Sequence, residues 1–203
     1  MNEYFDKIYC INLERRPDRK AESQAQFDAL GLDVEFIKAV DGKELAPPDK
    51  INTGELGCIL SHVKIYKDAE AKGYKRILIL EDDCVFENGI NELFKEYIKE
   101  VPKDWGLLYF GGSHLKTPLP VNDKIHRLLH TYTTHCYAVN LEVVKGLADL
   151  IGSDLQIDVT LAHLQLKFHS YGFKPNLAWQ KDNYSDITEQ QTNYYFLKGN
   201  GRL

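Results

Sequence analysis

Apolar and polar positions along this chain fall into blocks of changing period, and each change of period marks an element. Lys7 to Leu13 (KIYCINL) is rich in β-branched and aromatic residues and predicts a strand. Pro17 then opens a helical stretch to Leu30, where Gly31 supplies a stop. Val34 to Val40 predicts a second strand, closed by the turn pair Asp41-Gly42, and Glu44 to Asn52 with Pro47-Pro48 reads as a loop. From Gly54 to Lys72, Leu56, Ile59, Leu60, Val63 and Tyr66 recur at helical spacing, with Thr53 as the expected cap and Gly73 as the end. Ile77 to Leu80 is a continuous apolar run, as expected of a strand covered on both faces, and it breaks off in Glu81-Asp82-Asp83.

The second half alternates less strictly. A helix is predicted from about Ile90 to Val101, stopped by Pro102, and a strand from Trp105 to Phe110. Ser113 to Arg127 reads as loop, Thr133 to Val139 as a strand, Leu141 to Ile151 and Asp158 to His169 as helices. Phe173 to Trp179 reads as extended, followed by a polar tail. Strands alternating with helices predict an α/β fold: a mixed, mostly parallel sheet flanked by helices, with ligands at the carboxyl ends of the strands.

Composition narrows the function classes. The 203 residues are 43% hydrophobic with net charge −5, as expected of one folded domain over 1–203 rather than a disordered chain. No apolar run exceeds four residues, so no membrane span is expected, and the mildly acidic balance argues against a protein that coats nucleic acid. Cys10, Cys58, Cys84 and Cys136 lie far apart with no CxxC pair, which excludes a zinc ribbon and points to buried thiols. The N-terminal residues show neither a basic nor an apolar leader region, so a cytoplasmic location is expected, and the sequon Asn183-Tyr184-Ser185 reads as accidental. The oligomeric state is not legible.

Two charge clusters carry the chemistry. Three carboxylates directly after a buried strand repel one another and gain nothing from packing. Side chains at i and i+2 share a face, so Glu81 and Asp83 converge while Asp82 points elsewhere. Such oxygen ligands suit Mg²⁺ or Mn²⁺, although a solvated acidic turn reads the same. Arg15, Arg16, Arg19 and Lys20 crowd the start of the first helix, where cations oppose the macrodipole. A bound phosphate would offset that cost, as would Glu14 and Asp18 as partners.

At these residues the sequence resembles a family. Ile11-Asn12-Leu13-Glu14-Arg15-Arg16-Pro17-Asp18-Arg19 is similar to the opening INLDRRPDR of glycosyltransferase family 25, and Ala39-Val40-Asp41-Gly42 to its AvDG turn. Gly54 to His62 (GELGCILSH) resembles its GE-GC-LSH helix, and Leu80-Glu81-Asp82-Asp83 its LEDD block. Weaker likenesses follow at Ala138 to Leu150, Ile157-Asp158-Val159, Asn176 to Gln180 and Ser185-Asp186-Ile187.

The resemblance implies a GT-A architecture and an inverting transfer of a hexose, galactose or glucose. The donor would be a UDP-sugar and the acceptor a hydroxyl of a glycan or of hydroxylysine in a collagen-like protein. It implies Asp83 and Asp82 as metal ligands, joined by Asp186, with Glu81 orienting them. Asn12, Leu13, Arg15, Asp41, Ser61, His62, Asp82, Gln180 and Ser185 would surround the donor. Asp158 would be the base, with Asp154 as competitor. A metal-dependent phosphohydrolase or a non-catalytic nucleotide-sugar-binding protein remains as the alternative.

Overall fold

A computed structural model of the protein describes residues 1–182, 184–187, 190–194 and 197–198; Asn183 of the sequon lies outside them. The first half follows the pattern of apolar positions closely. Strand β1 (Lys7–Asn12), helix α1 (Pro17–Leu30), β2 (Val34–Lys38), α2 (Thr53–Ala71) and β3 (Arg76–Glu81) succeed one another. Helix α2 is capped by Asn52 rather than Thr53. The Asn52 side chain accepts from the Glu55 amide and Glu55 accepts from the Asn52 amide, a reciprocal capping box.

The later elements are shorter than expected. After β4 (Cys84–Phe86), helix α3 covers Ile90–Tyr97 and gives way to a 3₁₀ turn, Ile98–Glu100, ahead of Pro102. Strand β5 is Leu107–Tyr109. The stretch expected as loop contains β6 (Ser113–His114), β7 (Leu119–Pro120) and β8 (Ile125–Arg127), followed by β9 (Thr131–Tyr132) and β10 (Cys136–Asn140). The helix expected over 141–151 is reduced to α4 (Leu147–Leu150), because Gly146 takes a left-handed conformation at φ 66° and interrupts the helical path. Helix α5 (Ile157–Leu164) stops short of His169, and the extended region splits into β11 (Ser170–Phe173) and β12 (Ala178–Gln180). Two short strands, β13 (Tyr184–Ser185) and β14 (Gln190–Gln191), pair with each other.

The main sheet has eight strands in the order β2-β1-β3-β10-β5-β11-β8-β7. Strands β10 and β8 run against the other six, giving the mixed, mostly parallel sheet expected of a GT-A-like fold. Strand β3 is buried on both faces, with Ile77 to Leu80 all at 0% exposure. Leu78 and Leu80 pack toward Phe27 of α1 and Phe94 of α3. Ile77 and Ile79 pack toward Ile59 and Tyr66 of α2, with Leu147 of α4 and Leu161 of α5 in the same cluster. This alternation, one residue to each face, is what the continuous apolar run encodes.

Cys10, Cys84 and Cys136 are buried thiols as expected, but Cys58 is only partly buried. Among the described residues no helix is long and apolar enough to cross a membrane.

Candidate active site

The parallel pairing of β1 with β3 sets Ile11 beside Glu81, so the two chemically loaded strand ends emerge side by side. Above them lies a cavity of about 370 Å³. Its floor includes Glu81, Asp82 and Asp83; its walls include Leu13, Arg15 and Arg19 on one side and Asp41, Ser61 and His62 on another. Gln180, Ser185 and Asp186 close it from the C-terminal segment. Ten of the eleven residues expected around donor and metal thus line one space, Leu13, Arg15, Asp41, Ser61, His62, Asp82, Asp83, Gln180, Ser185 and Asp186; Asn12 does not.

Local backbone fit explains why two glycines occur here. A Cβ on Gly42 would lie 1.8 Å from the Thr53 carbonyl oxygen, and one on Gly57 would lie 2.6 Å from the Val40 oxygen. Helix α2 is therefore pressed against the turn that carries Asp41. Ser61 fastens the same contact: its hydroxyl accepts from the Val40 amide at 2.9 Å and donates to the Gly57 carbonyl at 2.7 Å. The hydroxyl expected to face the donor is already occupied by backbone.

The acidic strand end divides its labour. Asp82 turns toward the N-terminal half, accepting from Asn12 at 2.7 Å and from Arg19 at 3.0 Å. Asn12 itself is buried and also donates to the Arg16 carbonyl. Asp83 accepts from Gln180 at 2.9 Å through Oδ2, while its buried Oδ1 has no hydrogen-bond partner among the described residues. Burial, with the like charge of Glu81, raises the Asp83 carboxyl to about 7; burial also raises Asp82. Glu81 goes the other way. Burial acts to raise it, but His62 at 3.5 Å and the Thr134 hydroxyl at 2.6 Å outweigh burial and lower it.

The basic turn is partnered from within the chain. Arg15 donates to Asp41 at 3.0 Å and to Asp186; Arg16 donates to Asp186 at 2.6 Å and forms a two-point contact with Asp18. Burial acts to raise Asp186, but these two guanidiniums hold it below its ordinary value. Arg19, at 8% exposure, reaches both Asp82 and the Tyr184 carbonyl. The sequence placed Arg19 in the basic cluster without a role.

Asp158 lies elsewhere. At the start of α5 it borders a second cavity of about 200 Å³, together with Glu55, Thr133, Thr134 and Gln156. The two cavities adjoin: Cys58, Glu81, Gln180, Ser185 and Ile187 line both. Asp158 accepts from the Val159 amide at 2.8 Å and from the Thr133 amide at 3.3 Å, and burial raises its carboxyl above the ordinary range. Asp154 borders neither cavity; it sits at the surface 3.9 Å from Lys50.

The sequence model of glycosyltransferase family 25 (LPS biosynthesis protein) matches residues 5–146. This chain belongs to that family. A glycosyltransferase 25 family member of Aedes aegypti is 31% identical over 202 residues, covering 85% of this chain and 32% of that protein. Procollagen galactosyltransferase 2 of Mus musculus is 29% identical over 183 residues, covering 76% of this chain and 29% of the other. A family member 3 of Rattus norvegicus, named as probably inactive, is 29% identical over 133 residues, covering 55% of this chain and 23% of that one. The chain thus spans about a third or less of the length of these relatives.

Proposed function

We propose that this chain is a single catalytic domain that transfers a hexose, galactose first and glucose second, from a UDP-sugar to an acceptor hydroxyl with inversion. The observation that carries this reading is the junction of two cavities through Glu81 and Gln180, one rimmed by arginines and the other holding Asp158. The arginines of the first cavity suit the diphosphate of a nucleotide-sugar once a cation offsets the carboxylates of its floor, and the second cavity suits an acceptor.

Asp158 would take the proton from the acceptor hydroxyl. Its raised affinity for protons suits a base that works near neutral pH. The acceptor oxygen then attacks the anomeric carbon from the second cavity, and the bond to the diphosphate breaks on the opposite side, with the electron pair leaving on UDP. Arg15 and Arg19, which line the first cavity, receive the diphosphate charge, which displaces Asp186 from the Arg15–Arg16 pair. Asp41, on the wall of the first cavity, would meet the ribose or base, whereas buried Asn12 lies outside the lining and acts through Asp82, to which it donates. The carboxylates of Glu55, Glu81 and Asp158 give the second cavity a negative wall. That wall favours an acceptor bearing an amine, such as hydroxylysine, over a neutral glycan.

The buried Oδ1 of Asp83, without a hydrogen-bond partner among the described residues and beside the like charge of Glu81, fits a hard divalent cation, Mn²⁺ or Mg²⁺. We assign Asp83 as its first ligand. Asp82 and Asp186 join it only by giving up the hydrogen bonds they now make to Asn12, Arg19, Arg15 and Arg16. When bound, such an ion neutralises charge on the leaving diphosphate.

A thermal-shift screen of UDP-sugars with and without Mn²⁺ tests the donor claim. Stabilisation by UDP-galactose or UDP-glucose that depends on the metal is expected. No shift with any common UDP-sugar contradicts it. Release of phosphate without sugar transfer would favour a phosphohydrolase instead.

A further inference from the structure

Cys58 and His62 lie one turn apart on α2, and Glu81 faces them from the end of β3. One donor atom from each, sulfur, nitrogen and oxygen, falls within 4.8 Å of the others. We propose that these three residues form a zinc-type cation site, separate in donor chemistry from the all-oxygen site at Asp83.

The histidine carries the case. His62 is completely buried, and its Nε2 finds no hydrogen-bond partner among the described residues. A buried polar nitrogen without a partner is costly and calls for an occupant. Nε2 stands 3.5 Å from Glu81 Oε1, too far for a good hydrogen bond. Ligands about 2.0–2.3 Å from a tetrahedral zinc ion stand roughly 3.3–3.8 Å from one another, which matches that separation.

The surroundings fit as well. The other ring nitrogen, Nδ1, is held by the Tyr137 hydroxyl at 2.7 Å, and Glu81 is held by the Thr134 hydroxyl at 2.6 Å, so both ligands are oriented from behind. Cys58 and Glu81 line both cavities, so an ion held there would be within reach of a water or a substrate oxygen. Mixed sulfur, nitrogen and oxygen donors select zinc over the magnesium or manganese that carboxylates alone prefer.

Cobalt(II) replaces zinc with a visible signature, so titration of the chelator-treated full chain with Co²⁺ tests the site without any donor or turnover. The expected result is a sulfur-to-cobalt charge-transfer band that saturates at about one Co²⁺ per chain, apart from any Co²⁺ held at Asp83, and is bleached by added Zn²⁺. The band is lost in Cys58→Ser and kept in Asp83→Asn. Zinc affinity in Cys58→Ser falls by at least about tenfold. His62→Gln, where it melts cooperatively, weakens zinc binding in parallel. Cys58→Ser changes a partly exposed position and carries the test where His62→Gln does not fold. No band in the wild type, a band that survives Cys58→Ser, or a band lost in Asp83→Asn overturns the proposal. None of these readings depends on whether the chain transfers a sugar.

Discussion

Arg16 and Asp186 meet at 2.6 Å although 170 residues separate them along the chain. The contact brings the C-terminal segment onto the residues just ahead of α1, where Arg15 grips the same carboxylate. A carboxylate in a fork of guanidiniums occupies the place a diphosphate would take. We therefore expect Asp186→Asn to bind UDP about three- to tenfold more tightly, about 0.7–1.4 kcal/mol, at low salt. Calorimetric titration with UDP checks this. Weaker binding would instead assign Asp186 to the metal.

Ser61 gives a contrast between fold and ligand. It is buried, and Ser61→Ala leaves the Val40 amide without its acceptor. The expected loss is about 1–3 kcal/mol of stability, read by denaturant unfolding, with UDP affinity in the folded fraction little changed. A large loss of UDP affinity at unchanged stability would place the hydroxyl on the donor.

Asp83 gives a pH dependence whose sign follows from its environment. Burial and Glu81 raise its folded-state pKa to about 7, against about 3.9 in an unfolded chain. Between those values the folded chain binds the extra proton, so stability falls as pH rises through that window. Relative to Asp83→Asn, the metal-free wild type is expected to lose about 1–3 kcal/mol from about pH 4 to about pH 7. Parallel unfolding curves for the two proteins would show that Asp83 titrates normally.

The fold and the centre of the site were legible for different reasons. Strand β3 and helix α2 were visible because burial on two faces, or on one helical stripe, leaves a period in the sequence. Period-two geometry anticipated that Asp82 would point elsewhere than Glu81 and Asp83, and it does reach Asn12, but Arg19 Nη1 lies 3.0 Å from Asp82 and 3.8 Å from Asp83, so the two aspartates share that guanidinium. The helix expected over 141–151 was not legible, because a single left-handed glycine overrides a favourable apolar spacing. The pairing of Asp186 with Arg15 and Arg16, and the facing of Cys58 by Glu81, depend on chain segments far apart in sequence. No local pattern encodes such meetings. The separation of Asp158 into its own cavity was hidden for the same reason.

The central claim, that Asp158 serves the acceptor and not the donor, is tested most directly by Asp158→Asn. Donor affinity and sugar transfer are measured on the same preparation. We expect UDP-sugar binding within about twofold of wild type and turnover reduced by about 10²–10⁴. The wild type should also show a rising limb of kcat/KM displaced above the ordinary carboxylate range, which the variant lacks. Turnover near the wild-type level in Asp158→Asn, or loss of donor binding together with turnover, would contradict the account.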